Sequence, residues 1–151
     1  QFDVADGTFK IMVEKFTEQF KPLFDLESFR VSIEKDKDQP CSAHATIKVA
    51  VGDSEEITAA EGLGPVSALD NALRKALGRF YPDLDTMRLV DFKVRITQGG
   101  TEAVTRVIID SEDGKGNRWS TVGVSPNIVD ASFEALLDAI RWKLLRDWKP
   151  V

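Results

Sequence analysis

Residues 62–77 read GLGPVSALDNALRKAL, in which two glycines and a proline stand directly before a run with helical periodicity. The apolar positions of that run recur three or four residues apart, as they do on one face of a helix. Pro65 suits the first helical position, and Gly64 suits the cap before it. The stretch therefore predicts a strand-to-helix corner with a bare backbone. The predicted apolar face consists of Val66, Leu69, Leu73, Ala76, Leu77 and Phe80.

This corner has two interpretations: it is a simple turn, or it is a binding site for a small anion. A helix N-terminus offers N–H groups without intrahelical partners and a partial positive charge, and adjacent glycines let a ligand approach the backbone. A carboxylate fits such a place. The third glycine of a dinucleotide-binding loop is absent, and no Gly-Lys-Ser/Thr follows as in a phosphate-binding P-loop. The residues alone leave both interpretations open.

Three strands are predicted before this helix, because apolar and polar residues alternate there. Gly52-Asp53 is typical of a hairpin turn between the second and third of them. An earlier segment, residues 6–21, carries apolar residues at helical spacing, and Pro22 ends it. The three predicted strands are residues 29–33, 45–51 and 55–61.

The second half of the chain repeats this order. A helix is predicted at its end, capped by Ser125-Pro126 or by Asn127 and carrying apolar residues as far as Leu145. Turns are predicted at Gly99-Gly100 and over SEDGKGN, residues 111–117. The predicted strands of this half are residues 90–96, 103–110 and 118–124.

The two halves also match residue by residue when the chain is shifted by 63 positions, so that Ala72 meets Ala135. Pro65 and Pro126 do not share this shift, which predicts a turn two residues longer before the second helix. The pattern predicts an α+β fold of two pseudo-symmetric βββα units, with antiparallel sheets packed on helices. One such unit buries little alone, so we expect pairing as a homodimer. Chance matching of two amphipathic helices is the alternative.

Composition limits the class of protein. The chain has 151 residues, 42% hydrophobic and 30% charged, which indicates a folded domain rather than a disordered one. A net charge of −5 without a basic stripe argues against nucleic acid and anionic membranes as partners. No apolar run is long enough to span a membrane. A single cysteine, Cys41, excludes an internal disulfide and favours the cytoplasm. The chain begins with glutamine, and we expect it to be part of a longer protein.

A catalytic or metal-binding constellation is not predicted. His44, the single histidine, lies in an alternating strand and is expected at a sheet surface or an interface. Cys41 has no histidine base near it in sequence, so a structural role is expected. No spaced cluster of metal ligands is present. The acidic pairs Glu55-Glu56 and Glu112-Asp113 stand next to turns and are expected to be solvated.

A family resemblance adds to these observations and covers nearly the whole chain. Residues 62–96, 99–114 and 118–145 resemble the C-terminal regulatory domain of the 2-isopropylmalate synthase and citramalate synthase family. The paired motifs GLGPV and VGVSPNI make the resemblance specific. Residues 5–35, ADGTFKIMVEKFTEQFKPLFDLESFRVSIEK, look like the entry into this domain in the citramalate synthase branch.

The resemblance implies a regulatory role for this chain. The parent enzyme would be an acyltransferase that condenses acetyl-CoA with pyruvate on a metal-dependent TIM-barrel domain, and this part itself would hold no cofactor. The part present here would form a homodimer that binds isoleucine, the end product, at the dimer interface. Residues 1–25 would be a helix and linker, and residues 26–151 the regulatory domain, with units at 26–82 and 87–148.

The family's ligand positions, carried over to this sequence, imply a binding site. Gly62, Leu63, Gly64 and Val66 would face the polar end of the amino acid. Leu89, Phe92 and Ile96 would contact the side chain of the amino acid. Ala103 would lie near the loop after that strand, and Pro126 and Ile128, at the start of the second helix, would close the pocket.

Two features of this implied site need an explanation. A polar residue often stands where this chain has Leu63, so backbone carbonyls would have to accept hydrogen bonds from the ligand's ammonium group. Leu89 would lie on the opposite face from Phe92 and Ile96 in an ideal strand, so a bulge or the strand's edge would have to align them.

Three other functions remain open at this point. The domain could sense leucine, as in a 2-isopropylmalate synthase, because the apolar lining separates leucine from isoleucine poorly. It could be a purely structural dimerisation module. It could also be an enzyme in its own right, although no constellation favours this.

Overall fold

The computed structural model of the chain describes residues 23–99 and 102–147. The helix predicted over residues 6–21 lies outside this part, and the predicted Gly99-Gly100 turn extends beyond it. The chain divides into two compact units, with the boundary between Asp85 and Thr86. The elements are β1 (Asp25–Glu34), β2 (Ser42–Val51), β3 (Ser54–Gly62), α1 (Pro65–Leu77), a 3₁₀ turn (Pro82–Thr86), β4 (Arg88–Gly99), β5 (Glu102–Glu112), β6 (Arg118–Ser125) and α2 (Ile128–Asp147). The predicted α+β fold of two βββα units is confirmed.

In the first unit, β1, β2 and β3 form an antiparallel sheet in that order, and α1 covers one face of it. The alternating residues of β2 from Ala43 to Val49 are buried on this face, opposite the buried stripe of α1. Thr58 on β3 fixes the orientation, because its Oγ1 donates a hydrogen bond of 2.9 Å to the carbonyl of Ala72 in α1. Gly52 forms the predicted hairpin turn with a φ of 59°, a left-handed conformation that favours glycine.

The second unit repeats this architecture with β4, β5, β6 and α2. The Oγ1 of Thr121 donates a hydrogen bond of 2.7 Å to the carbonyl of Ala135, as Thr58 does to Ala72. Trp119 adds a second anchor, because its Nε1 donates to the carbonyl of Ala139 at 3.1 Å. Donor and acceptor are both 63 residues further along the chain than in the first unit. The same hydrogen bond thus recurs at the spacing of the sequence repeat.

The structure corrects the prediction about the second turn. Two residues separate β3 from α1, and two separate β6 from α2, so the turns are equally long. The prolines differ because Pro65 is the first residue of its helix whereas Pro126 stands before the N-cap.

Two smaller predictions are also wrong. Phe80 does not lie on the face of α1, because the helix ends at Leu77 and Gly78 forms its C-cap. The loop over residues 111–117 is shorter than predicted, because Ser111 and Glu112 still pair with Trp119 and Arg118.

Each helix packs mainly on the two later strands of its sheet. In β4 every residue from Val90 to Gln98 is exposed, including Phe92 and Ile96. No helix in the described ranges is long and apolar enough to cross a membrane.

Candidate functional site

The corner between β3 and α1 has a helix end without a side-chain cap. Gly64 is the N-cap with φ −152°, and no side chain accepts a hydrogen bond from the first turn. The first intrahelical bond runs from the N–H of Ala68 to the carbonyl of Gly64 at 3.0 Å. The N–H groups of Val66 and Ser67 precede this bond, so they can donate to an anion placed over the helix end.

The two glycines of this corner have different roles. A Cβ on Gly62 would lie 2.5 Å from the backbone nitrogen of Ala68, so glycine is required for α1 to pack on β3. A Cβ on Gly64 would meet nothing within 4 Å, and its extended backbone suits any residue. Gly62 is therefore a packing residue, whereas Gly64 leaves space open in front of the helix. Leu63, between them, is 85% exposed.

The equivalent corner of the second unit is closed. Asn127 is the cap, because its Oδ1 accepts hydrogen bonds from the N–H groups of Val129 at 2.8 Å and Asp130 at 3.3 Å. The sequence left Ser125-Pro126 and Asn127 as alternatives, and the structure selects Asn127. The two helix ends therefore differ chemically, although they occupy equivalent positions in the repeat.

A β-bulge in β4 aligns the predicted apolar residues. Register shifts between Leu89 and Asp91, so Leu89 pairs with Ser111 while Phe92 pairs with Ile109. Ser111 and Ile109 point to the same face, the one covered by α2. Leu89, Phe92 and Ile96 therefore share a face, and it is a bulge, one of the two explanations left open by the sequence, that aligns them.

With Val94, these residues form what we call the second ridge: Leu89, Phe92, Val94 and Ile96. It lies on the α2 side of the sheet but beyond the helix, and Phe92 and Ile96 are 44% and 67% exposed. Phe92 and Ile96 can therefore contact an apolar side chain from outside the unit.

The predicted residues of the second unit are spread along this ridge. Ile96 pairs with Thr105, which pairs with Ser125, so Ile96 is at the end of the sheet where Pro126 and Ile128 begin α2. Ala103 pairs with Gln98 at the same end. Leu89 pairs with Ser111, which is six residues from Thr105 along β5. At 3.3 Å per residue, Leu89 is therefore about 20 Å from Ile96 along the sheet. The fold brings Ile96, Ala103, Pro126 and Ile128 to one end and leaves Leu89 at the other.

The first unit carries an equivalent ridge that the sequence analysis missed. β1 has a bulge between Leu26 and Ser28, and Phe29 then pairs with Ile47 on the α1 side. The signal was available, because residues 26–33 and 89–96 share the pattern L-x-x-F-x-V-x-I at the spacing of the repeat. The first ridge consists of Leu26, Phe29, Val31 and Ile33.

His44 and Cys41, the two other residues singled out in the sequence, lie outside the corner at Gly64 and outside the second ridge. His44 is on the sheet face away from α1, with its ring nitrogens 3.5 Å from Glu34 and 3.4 Å from Glu61. Cys41 is exposed and stands immediately before β2. Within the described residues, no three His, Cys, Asp or Glu side chains converge as metal ligands.

Asp113 corrects the prediction that Glu112-Asp113 is solvated, because its side chain is only 2% exposed. It accepts hydrogen bonds from the N–H groups of Lys115 and Asn117 and from Nδ2 of Asn117. Lys143, equally buried in α2, has its Nζ 4.0 Å from Asp113 and hydrogen-bonds Asp147. Burial alone would raise the pKa of Asp113, but the Asn117 and Lys115 hydrogen bonds and the Lys143 charge lower it to about 2.

We expect Asp113→Asn to lower the free energy of unfolding by about 1–2 kcal/mol at pH 7, because an amide donor would then face Asn117 and Lys143. The depressed pKa stabilises the native state above pH 4, and this contribution is lost as pH falls toward 2. The difference between the wild type and the variant, measured by urea denaturation, should therefore shrink between pH 4 and pH 2. A difference independent of pH would contradict the assignment.

Residues 3–144 match the family described as LeuA allosteric (dimerisation) domain. The (R)-citramalate synthase of Geobacter sulfurreducens is 50% identical over 147 residues, which cover 95% of this chain and 28% of that protein. The (R)-citramalate synthase of Aquifex aeolicus is 44% identical over 149 residues, covering 97% of this chain and 28% of that protein.

A protein described as a probable 2-isopropylmalate synthase is similar to a smaller part of the chain. The probable 2-isopropylmalate synthase of Methanosarcina mazei is 36% identical over 96 residues, 64% of this chain and 18% of that protein. The chain thus spans little more than a quarter of the length of the two citramalate synthases.

Proposed function

The chain belongs to the family of LeuA allosteric (dimerisation) domains, and on that premise we propose that it is the isoleucine-sensing regulatory part of a citramalate synthase-like acyltransferase. The similarity to (R)-citramalate synthases extends over almost the whole chain, whereas the similarity to the probable 2-isopropylmalate synthase covers about two thirds of it. This difference favours the citramalate branch.

The observation that carries the proposal is the uncapped N-terminus of α1 behind Gly64. The N–H groups of Val66 and Ser67 receive the effector's carboxylate, where the helix dipole adds a favourable charge. The equivalent donors in the second unit are already bound by Asn127, so the two corners are not interchangeable. Backbone carbonyls near Leu63 accept hydrogen bonds from the ammonium group.

The family's ligand positions also include residues of the second ridge, and we assign to them contact with the effector's apolar side chain. Phe92 and Ile96 present half-exposed apolar surface that a branched aliphatic side chain can cover. The bulge at Leu89 supports the assignment, because it turns all three residues to one face.

The reaction itself takes place outside these residues. We assign it to the remainder of a longer, cytoplasmic chain that condenses acetyl-CoA with pyruvate and uses a divalent metal ion. For isoleucine to inhibit at a distance, it must bind two states of the homodimer with different affinities. Feedback inhibition of branched-chain amino acid synthesis then follows from the shift between those states.

The proposal predicts saturable binding of L-isoleucine to the 151-residue chain by isothermal titration calorimetry. L-leucine should bind about tenfold more weakly, because one misplaced methyl group in a fitted pocket costs about 1–3 kcal/mol. L-valine leaves part of the pocket unfilled and should also bind more weakly. The D-isomer of isoleucine serves as the control for specific recognition of the carboxylate and ammonium groups.

Each other outcome identifies a different function. Preference for L-leucine would make this a leucine sensor of the 2-isopropylmalate synthase type. Absence of heat and of any thermal shift with all three amino acids, on a folded dimer, would make it a structural dimerisation module.

A further inference from the structure

The face of the second sheet that points away from α2, which we call the outer face, is apolar at its centre. Ile108 points there, because Val107 and Ile109 on either side of it in β5 face α2. It is only 8% exposed, although β5 contacts mainly its neighbours β4 and β6 and, on the opposite face, α2. Ile108 is therefore buried on the side of the sheet that α2 does not cover.

The equivalent outer face of the first sheet, away from α1, has a different chemistry. Ile47 and Ile109 are equivalent, because each pairs with the phenylalanine of its ridge. Thr58 and Thr121 are equivalent through their hydrogen bonds to the helices. In this alignment the second outer face carries aliphatic residues where the first carries small or polar ones: Val104 for Ser42, Ile108 for Thr46, Val122 for Ala59 and Val124 for Glu61. Only the second outer face thus offers a continuous apolar surface to a partner.

Part of this surface remains exposed around its buried centre. Val124 is 43% exposed and Val104 is 36% exposed, whereas Val122, which pairs with Ile108, is half-buried. Burial of such aliphatic surface is favourable, so the outer face fits an apolar element that lies across β5 and β6.

The chain itself contains a segment of matching chemistry, residues 6–21, which lies outside the described residues. Its sequence predicts a helix whose apolar residues form one stripe: Phe9, Met12, Val13, Phe16 and Phe20. From Phe9 to Phe20 the stripe is about 17 Å long at 1.5 Å per residue, and the outer face from Val104 to Ile108 is about 13 Å long at 3.3 Å per residue. A single helix of this length is marginally stable in water, so it requires an apolar surface to pack on.

We propose that residues 6–21 pack as an amphipathic helix on the outer face of the second sheet of the same chain, with the stripe on Ile108, Val122 and Val124. The second sheet then has a helix on each face, and both faces are buried. The first sheet needs no such helix, because its outer face is polar. Residues 1–25 are the linker expected from the family resemblance, so this contact holds the linker on the second unit, and it uses no residue of the effector site.

Limited proteolysis with trypsin tests this contact in the 151-residue chain, because Lys15 lies in the middle of the segment. A docked helix is cleaved only when it detaches, so the cleavage rate follows the population of the detached state. Ile108→Thr/Val122→Ala, which gives the outer face the residues of the first sheet, should raise the rate at Lys15 at least about tenfold. Ile57→Thr is the matched control, because Ile57 is 69% exposed on the outer face of the first sheet. This control should stay within about twofold of the wild type.

Changes in the segment give the second half of the test. Phe20→Ser removes an aromatic residue from the stripe and should also raise cleavage at Lys15 at least about tenfold. Ile11→Ser removes an apolar residue that lies outside the stripe and should leave the rate within about twofold of the wild type. Neither change is next to Lys15, so the bond that trypsin cleaves keeps its neighbours. Phe20→Ser added to Ile108→Thr/Val122→Ala should raise the rate by less than about twofold more, because the same contact is already lost.

A synthetic peptide of residues 6–21 gives the cleavage rate of the unprotected segment. Wild-type cleavage at Lys15 as fast as in this peptide would exclude docking. Faster cleavage in Ile33→Thr but not in Ile108→Thr/Val122→Ala would place the segment on the first ridge instead. Protection that is lost on dilution to a monomer, checked by sedimentation, would show that a second copy supplies it. Thermal melting checks folding, and Val124→Thr, a change at a more exposed residue, replaces the double variant if that variant unfolds.

Discussion

Replacing Gly123 by alanine is expected to lower the free energy of unfolding by about 3 kcal/mol, the upper end of the usual cost of overpacking. A Cβ at this position would lie 1.8 Å from the carbonyl oxygen of Ala131 and 2.9 Å from the backbone nitrogen of Ala135. Both atoms belong to the backbone of α2, so no side-chain rotation relieves the overlap. The helix must move away from β6, which weakens the hydrogen bond from Thr121 to Ala135 and uncovers Val107.

Urea denaturation of Gly123→Ala beside Gly114→Ala measures this effect. A Cβ on Gly114 would lie 3.6 Å from the Cβ of Thr86, an ordinary contact, so this variant should unfold like the wild type. For a domain of this size, a loss of about 3 kcal/mol lowers the melting temperature by about 6–12 °C. Equal stability of the two variants would contradict the close packing of α2 on β6.

The repeat and the element order were predictable because they depend on local patterns. Alternation of apolar residues in segments such as 45–51 identifies a half-buried strand, and Pro65 after Gly64 identifies a helix start. These signals act within a few residues, so a single sequence contains them. The fold class follows from repeating them at a spacing of 63 residues.

The features that the sequence did not predict depend on partners distant in the chain. Asp113 stands in a polar loop, and only the approach of Lys143 from α2 makes its burial possible. Gly123 is one letter in an alternating strand, and only the path of α2 shows that a side chain cannot fit there. Such contacts join residues 8 to 30 positions apart, beyond the reach of a local pattern.

The candidate site was predictable in part for the same reason. The open helix end at Gly64 and the bulge needed at Leu89 follow from local chemistry. Local chemistry does not separate Gly62, which packing requires, from Gly64, which it does not. It also does not show how the ridge residues spread along the sheet. That difference between the glycines makes Gly64 the better position for a functional test.

Gly64→Asn is expected to weaken isoleucine binding about tenfold to a hundredfold while the protein becomes slightly more stable. The new amide oxygen can accept hydrogen bonds from the first turn of α1, as the Oδ1 of Asn127 does from Val129 and Asp130. It then occupies the donors that the carboxylate needs, and charge-assisted hydrogen bonds of this kind contribute about 1.5–3 kcal/mol. Asparagine is a better N-cap than glycine by a few tenths of a kcal/mol, so the melting temperature should not fall.

Gly64→Ala is the matched control, because it adds a Cβ in open space without an oxygen to cap the helix. It should lose a little stability, since alanine is a poor N-cap, yet bind isoleucine within about threefold of the wild type. Calorimetric titration should therefore rank Gly64→Ala above Gly64→Asn in affinity, whereas thermal melting should rank Gly64→Asn above Gly64→Ala in stability. General unfolding would lower both quantities in the same variant and cannot produce these opposite orders. Wild-type affinity in Gly64→Asn would show that the carboxylate does not bind at this helix end, since a capped helix has no N–H groups left to hold it.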